Sequence, residues 1–278
     1  MPPVTPEDWY TLLPTNSKFL STISISIFLI FINQHIIYMI NLLYINNYLI
    51  MKKSRLILIR HGQSEWNKQD KFTGWVDVSL SPEGKKEANM AGEKIKNLNI
   101  NFDYSFSSVL KRSIQTYKEI NKVCNLGNEL NQDWRLNERH YGNLQGLNKQ
   151  EMRNIHGDEQ VLLWRRSYDL KPPIINIESH KKLINQECFK KVDINPFPKN
   201  ESLKDTFNRL KPFLTSKLFP LIEKGKNILI SAHGNSIRAM LKFIENISDE
   251  DIIKIEIPTG EPILLEFIDG ILESKRFI

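Results

Sequence analysis

Cysteine is scarce in this sequence: Cys124 and Cys188 are the only two among 278 residues. Two thiols are too few for the disulfide framework of a small secreted domain, and they make no zinc-binding cluster. The sequence therefore predicts reduced thiols in a cytoplasmic protein. No segment repeats at the spacing of solenoid proteins, so the length favours one main globular domain.

Charge is absent from residues 19 to 50, where Ile, Leu and Phe are frequent and Lys18 stands just before the run. Such a segment can be a signal anchor or an organelle-targeting leader. Asn and Gln at positions 33, 34, 41, 46 and 47 interrupt it, so neither half is a clean twenty-residue span. We therefore expect no stable membrane span.

Two interpretations of residues 1–50 stay open. The segment is either a genuine leader or a gene-model extension with Met51 as the true start. The second interpretation is open because the Ile-, Asn- and Tyr-rich second half is typical of translated AT-rich non-coding DNA. Both interpretations place this hydrophobic extension outside the fold and assign residues 51–278 to the catalytic domain.

Nucleic-acid-binding signatures are also missing, although the chain carries a net charge of +6. A basic domain attracts anions of many kinds. Without a zinc finger or an RNA-recognition motif, a small anionic substrate is a better explanation of the charge than nucleic acid.

The most informative pattern in the sequence is a pair of apolar runs, each followed by His-Gly. Residues 56–59 precede Arg60-His61-Gly62, and residues 228–232 precede His233-Gly234. Unbroken branched aliphatic residues are typical of strands buried on both faces of a sheet, and open α/β folds place their sites at the carboxyl ends of such strands. A neutral imidazole can attack phosphorus, and an arginine can bind phosphoryl oxygens in a bidentate manner. The pattern suggests a phosphohistidine enzyme in which both histidines lie together.

The remaining elements follow from local signals. Ser81-Pro82-Glu83 predicts the start of a helix, and Arg112 is expected in the first turn of another. Residues 134–147 have no periodicity and predict a polar loop, whereas residues 171–200 predict a long irregular connection that forms a surface excursion or lid. We also predict a short strand at 102–108, helices at 109–123, 149–155, 159–168, 201–222 (kinked at Pro212) and 237–244, and a hairpin around Asp269-Gly270.

Six ordered blocks surround these elements: Phe72-Thr73-Gly74-Trp75, Leu136 to Gly142, Gln145 to Lys149, Gly157 to Val161, Trp164-Arg165-Arg166 and Ile257 to Gly260. Together with Arg60-His61-Gly62, Arg112, Glu138 and His233-Gly234, they resemble the histidine phosphatase superfamily. Within it, the blocks resemble the cofactor-dependent phosphoglycerate mutases from about residue 53 to the end. This resemblance implies a three-layer α/β/α sandwich with a mostly parallel central sheet.

The resemblance also implies roles for individual residues. His61 would be the nucleophile, and Glu138 would be the acid/base for the sugar-acid hydroxyl. A ring of donors around the phosphoryl group would consist of Arg60, Arg112, Asn67, His233 and the Gly234 amide. The substrate-binding shell would consist of Ser64, Thr73, Gly74, Tyr141, Lys149, Arg165, Arg166 and Asn235. His140 is interpreted as structural.

The implied reaction interconverts 3-phosphoglycerate and 2-phosphoglycerate in glycolysis, primed by 2,3-bisphosphoglycerate and without a metal. The family often forms homodimers or homotetramers. Rival interpretations are a bisphosphoglycerate mutase, which Ser64 and Gly74 disfavour, a broad phosphatase and an inactive anion-binding protein. Longer members carry a mobile tail, and this sequence stops at Ile278, which predicts a raised phosphatase side activity.

Overall fold

The computed structural model describes residues 32–39 and 51–278. Residues 32–39 lie in a helix, α1, whose side chains are exposed. The rest of the predicted apolar extension lies outside the described residues, so its interpretation stays a prediction. Within the described ranges, no helix combines the length and the apolar character needed to cross a bilayer.

A six-stranded sheet forms the centre of residues 52–278. The strands are β1 (Lys53–Arg60), β2 (Tyr104–Ser107), β3 (Leu130–Gln132), β4 (Ile228–Ala232), β5 (Pro262–Ile268) and β6 (Ile271–Phe277). Their order in the sheet is β3-β2-β4-β1-β5-β6. The pairs β2/β3, β2/β4 and β1/β4 are parallel, whereas β5 is antiparallel to both β1 and β6. The prediction of a mostly parallel sheet is therefore confirmed.

Helices cover both faces of this sheet. The helices after α1 are α2 (Glu65–Lys68), α3 (Pro82–Lys96), α4 (Lys111–Cys124), α5 (Lys149–His156), α6 (Asp158–Arg166), α7 (Ile177–Ile184), α8 (Leu203–Phe213), α9 (Phe219–Glu223) and α10 (Gly234–Glu245). Side chains of β1 alternate between the two faces. Ile57 and Ile59 pack in a core with α3 and α4, and Leu56 and Leu58 pack in a core with α8, α9 and α10. The predicted three-layer α/β/α sandwich is confirmed.

Local sequence signals explain several boundaries. Ser81 caps α3 by accepting a hydrogen bond from the Gly84 amide, and Pro82 occupies the first helical position. The turn between β5 and β6 has positive φ at both Asp269 (49°) and Gly270 (82°), as a two-residue hairpin requires. The predicted helix at 201–222 is also present, with a π-helical turn at Leu214–Leu218 that separates α8 from α9 after Pro212.

The prediction of a long irregular connection at 171–200 is wrong. This segment contains α7 and a 3₁₀ turn at Glu187–Phe189, and it buries Ile175, Leu183 and Phe189 in one cluster with Trp75. Phe189 stacks on Trp75 with ring centroids 5.5 Å apart. Only Leu183 of α7 is buried, so this helix has no repeated apolar face that the sequence could show. Strand β3 was also not predicted, because it has only three residues and is mostly polar.

Candidate active site

The register of two central strands brings the two histidines together. Arg60 at the end of β1 pairs with Ala232 at the end of β4, and the His61 amide donates to the Ala232 carbonyl at 3.0 Å. The imidazoles of His61 and His233 therefore emerge side by side, with ring centroids 5.0 Å apart. Both are buried at the carboxyl edge of the parallel strands. The predicted proximity of the two histidines is confirmed.

The tautomer of His61 follows from its neighbours. Nδ1 lies 2.7 Å from the Gly62 carbonyl oxygen, which can only accept, so Nδ1 carries the hydrogen. The Nε2 lone pair then accepts from Nε of Arg112 at 3.3 Å. Burial, followed by the charges of Arg112 and Arg60, lowers the pKa of His61 well below its ordinary value. His61 is therefore neutral and keeps one unprotonated nitrogen next to a guanidinium.

Gly62 allows a backbone segment to approach this histidine closely. A Cβ atom on Gly62 would lie only 2.1 Å from the Gly84 carbonyl oxygen in the first turn of α3. The Gly62 amide donates to Oγ1 of Thr116 at 3.1 Å. The loop after β1 is thus held between α3 and α4.

Two arginines supply positive charge next to His61. Arg112 is fully buried and donates from Nη1 to the Val76 carbonyl (3.0 Å) and from Nη2 to the Gly74 carbonyl (2.7 Å). Burial lowers its pKa to about 10, and Glu138 opposes that shift, so Arg112 stays charged at neutral pH. Arg60 donates from Nη1 to the Ile257 carbonyl at 2.6 Å, and burial also lowers its pKa.

His233 has a partner that the sequence did not predict. Its Nε2 lies 2.7 Å from Oγ of Ser108, at the end of β2. Burial, together with Arg112 and His61, lowers the pKa of His233 well below its ordinary value. Nδ1 of His233 is buried and has no hydrogen-bond partner in the described part of the chain. A buried polar atom without a partner is costly unless a ligand satisfies it.

Glu138 lies in the loop after the 3₁₀ turn at Trp134–Leu136 and is 8% exposed. Its Oε1 accepts from the amides of Arg139 (2.8 Å) and Asn235 (3.2 Å), which bring it to the amino terminus of α10. The Asn235 side chain donates to the Tyr141 hydroxyl at 3.1 Å and accepts from Arg238 at 2.7 Å. Arg238 is buried and was not predicted; it orients the Asn235 amide.

The predicted substrate-binding residues divide into two groups. In the first group, Ser64 and Asn67 form a capping box at the start of α2, and the Gly74 carbonyl accepts a hydrogen bond from Arg112. Arg165 also belongs to this group, because it is close enough to lower the pKa of Arg60. Lys149 and Arg166 instead pair with partners at the surface. Lys149 contacts Asp70 at 3.0 Å, and Arg166 contacts Glu256 at 2.6 Å.

The comparisons with known proteins agree with this geometry. The sequence matches the histidine phosphatase superfamily (branch 1) over residues 56–186. It is 48% identical to 2,3-bisphosphoglycerate-dependent phosphoglycerate mutase 2 of Lactiplantibacillus plantarum over 218 residues, which are 77% of this chain and 94% of that protein. It is 50% identical to the 2,3-bisphosphoglycerate-dependent phosphoglycerate mutase of Buchnera aphidicola subsp. Cinara cedri, over 78% of this chain and 95% of that protein. Within the superfamily, the chain therefore belongs to the 2,3-bisphosphoglycerate-dependent phosphoglycerate mutases.

Solved structures support the fold. A phosphoglycerate mutase from Bacillus anthracis superposes with a TM-score of 0.60 at 20% identity, covering 82% of this chain and 93% of that one. A structure described as Mycobacterial hydrolase 1 gives a TM-score of 0.62 at 21% identity, covering 81% and 96%. At these identities the likeness extends to the fold alone.

Proposed function

We propose that this protein interconverts 3-phosphoglycerate and 2-phosphoglycerate through a phosphohistidine on His61, as a 2,3-bisphosphoglycerate-dependent phosphoglycerate mutase. One observation carries the proposal. His61 donates its Nδ1 hydrogen to the Gly62 carbonyl and directs an unprotonated Nε2 toward Arg112, beside His233. A neutral imidazole held in one tautomer is what attack on phosphorus requires.

The charged residues around His61 suit phosphoryl transfer. In this reaction the protein mainly positions the reactants and stabilises charge on the equatorial oxygens. In our proposal, Nε2 of His61 forms the bond to phosphorus while the bond between phosphorus and the substrate oxygen breaks. Arg60, Arg112, His233, the Asn67 side chain and the Gly234 amide bind the transferring group.

Glu138 is the proposed acid/base of the cycle. The oxygen that leaves phosphorus is an alkoxide of a sugar acid and needs a proton, which the Glu138 carboxyl group supplies. In the reverse step, the carboxylate takes the proton from the attacking hydroxyl. Glu138 is buried and close enough to Arg60 and Arg112 to favour their charged forms, which is consistent with a place beside the reacting atoms.

The donor set fits 2,3-bisphosphoglycerate, which supplies the phosphoryl group that primes His61. Buried Nε of Arg60, Oγ1 of Thr73 and Nδ1 of His233 have no partner within the described ranges, and a phosphoryl group would satisfy them. The pairs of Lys149 with Asp70 and of Arg166 with Glu256 have carboxylates that are 49% and 73% exposed, so exchanging them for a substrate anion costs little. The proposed substrate shell is Ser64, Thr73, Gly74, Tyr141, Lys149, Arg165, Arg166 and Asn235.

A coupled assay tests the proposal. The purified protein is given 3-phosphoglycerate with and without 2,3-bisphosphoglycerate, in the presence of a chelator, and 2-phosphoglycerate is measured. We expect turnover that depends on the bisphosphate and is insensitive to the chelator, with acid-labile phosphate on the protein that His61→Ala abolishes. Absence of turnover, or acid-labile phosphate that survives His61→Ala, would refute it.

We also propose a cytoplasmic homodimer or homotetramer that binds no nucleic acid. Support for the compartment is that Cys124 and Cys188 are both free thiols. Light scattering of the purified protein tests the oligomeric state, and fractionation of the native source tests the compartment. A monomer in solution, or recovery in a membrane fraction, would contradict them.

A further inference from the structure

A buried ion pair lies outside the set of residues that the proposed reaction uses. Arg209 in α8 and Glu201, which precedes that helix, have side chains that are 9% and 4% exposed. Arg209 Nε contacts Oε1 of Glu201 at 2.6 Å, and Nη2 contacts Oε2 at 3.2 Å. Burying two charges is costly unless further hydrogen bonds satisfy both groups. The further hydrogen bonds that Arg209 and Glu201 make therefore indicate the role of the pair.

Those bonds all go to the loop that carries Glu138. Arg209 donates to the carbonyls of Arg135 (2.6 Å), Asn137 (2.8 Å) and Glu138 itself (2.8 Å). Glu201 accepts from the His140 amide through Oε2 at 2.8 Å, and its own amide donates to the His140 carbonyl at 2.9 Å. The pair, called here the Arg209–Glu201 clamp, thus holds the backbone on both sides of Glu138.

Trp75 completes the contacts of the clamp. The Arg209 guanidinium lies over the Trp75 ring, 5.4 Å from its centroid, and the Trp75 indole nitrogen donates to the Glu138 carbonyl at 2.5 Å. The Glu138 carbonyl therefore accepts two hydrogen bonds, and the carboxylate receives the Arg139 and Asn235 amides. The position of the backbone at 138 then determines where the carboxylate lies.

We propose that the Arg209–Glu201 clamp positions the acid/base carboxylate of Glu138 without touching substrate, an inference that rests on the proposed role of Glu138. Arg209 suits this task because a planar guanidinium can reach three carbonyls and one carboxylate in fixed directions. A lysine at position 209 would keep the charge but would not hold these acceptors together. The clamp acts on the proton-transfer step, since its hydrogen bonds go to the backbone around Glu138 and not to the side chains of the proposed substrate shell.

A double-mutant cycle tests the proposal. Mutase turnover is measured for the wild type, Arg209→Lys, Glu138→Gln and the double variant, at a temperature where circular dichroism shows each to be folded. A displacement of about 1 Å at a catalytic group can cost about 10²-fold in rate, so we expect Arg209→Lys to lower kcat by about that factor. We expect the KM for 3-phosphoglycerate to change less than about threefold. In the Glu138→Gln background, Arg209→Lys should cost less than about threefold, because the residue acts through Glu138.

Two further variants separate positioning from general damage. Arg276→Lys on β6 makes the same chemical change in a pair with Glu266 of β5, where the arginine side chain is 51% exposed, and it should leave turnover unchanged. Glu201→Gln keeps the shape of the clamp while removing its negative charge. If Arg209→Lys does not fold, this variant replaces it in the cycle. We expect it to lower kcat when Glu138 is present and to have little effect in the Glu138→Gln background. An equal loss in both backgrounds, or a loss confined to KM, would overturn the clamp proposal alone. Absence of turnover in the wild type would instead refute the proposed function, and this inference with it.

Discussion

Mild acid should destabilise this fold, because three buried imidazoles must remain neutral in it. Burial is the largest cause that lowers the pKa of His61, His140 and His233, and for His140 the pKa falls to about 3. In the unfolded chain, a histidine takes up a proton near pH 6.5. Below that pH the unfolded state binds more protons than the folded state, so stability that is present above it is lost as the pH falls.

The size of the effect follows from this difference in bound protons. Between pH 7 and pH 5.5, a histidine that protonates only when unfolded contributes a loss of about 1.3 kcal/mol. His140 meets this condition with a folded pKa of about 3, and burial lowers the pKa of His61 and His233 in the same direction, so their contributions add to that of His140. Domains are typically stable by about 5 to 15 kcal/mol, so the contribution of His140 alone is a measurable part of the total.

Urea unfolding at the two pH values, followed by tryptophan fluorescence, measures the loss. His140→Asn is the informative variant, because Oδ1 of asparagine can replace Nδ1 of His140 as acceptor for the Gly142 amide, which now donates at 3.0 Å. This variant should lose about 1.3 kcal/mol less than the wild type on acidification. Equal pH dependence in the two proteins would show that His140 is not held neutral, and would refute the reasoning.

Three more substitutions give clear expectations. Glu138→Gln should lower kcat by about 10² to 10⁴-fold while retaining substrate binding, since only the proton transfer is lost; a near-normal rate in the coupled assay would show the acid/base assignment to be wrong. Arg112→Lys should lower kcat by at least about 10²-fold, because one ammonium group cannot donate to the Gly74 and Val76 carbonyls and also face His61. Phosphorylation of this variant at the wild-type rate, measured by stopped flow, would contradict this. Gly62→Ala places a Cβ 2.1 Å from the Gly84 carbonyl oxygen and should lower the free energy of unfolding by about 1–3 kcal/mol. An unchanged midpoint of urea unfolding would contradict this expectation.

The sequence was most informative where one residue type determines local geometry. Unbroken aliphatic runs predicted β1 and β4, and their parallel pairing places His61 and His233 together. Ser81-Pro82 predicted the start of α3 because a capping hydroxyl and a proline act within one turn. The catalytic and binding roles remain predictions that the proposed assays address, and the division of the chain near residue 50 also remains a prediction.

Contacts between distant segments could not be predicted in this way. Arg209 and Glu138 are 71 residues apart, and nothing near either residue indicates that a guanidinium meets the Glu138 carbonyl. The contact between Ser108 and His233 spans 125 residues. Residues 171–200 were misjudged for a related reason, since their buried apolar side chains cluster with Trp75, Val109 and Leu110, which lie far earlier in the chain.

The position of β1 and β4 in the middle of the sheet has a consequence for motion. The His61 amide bonds to the strand next to it, so its hydrogen should exchange with solvent only when the whole domain opens. The loop from residue 133 to 147 has no strand of its own, and its backbone is held instead by side chains of Arg209, Glu201 and Trp75. The two halves of the reaction therefore depend on different kinds of support. The atom that accepts phosphorus is fixed by the hydrogen bonds between neighbouring strands, and the proton donor is fixed by side chains that come from distant parts of the chain.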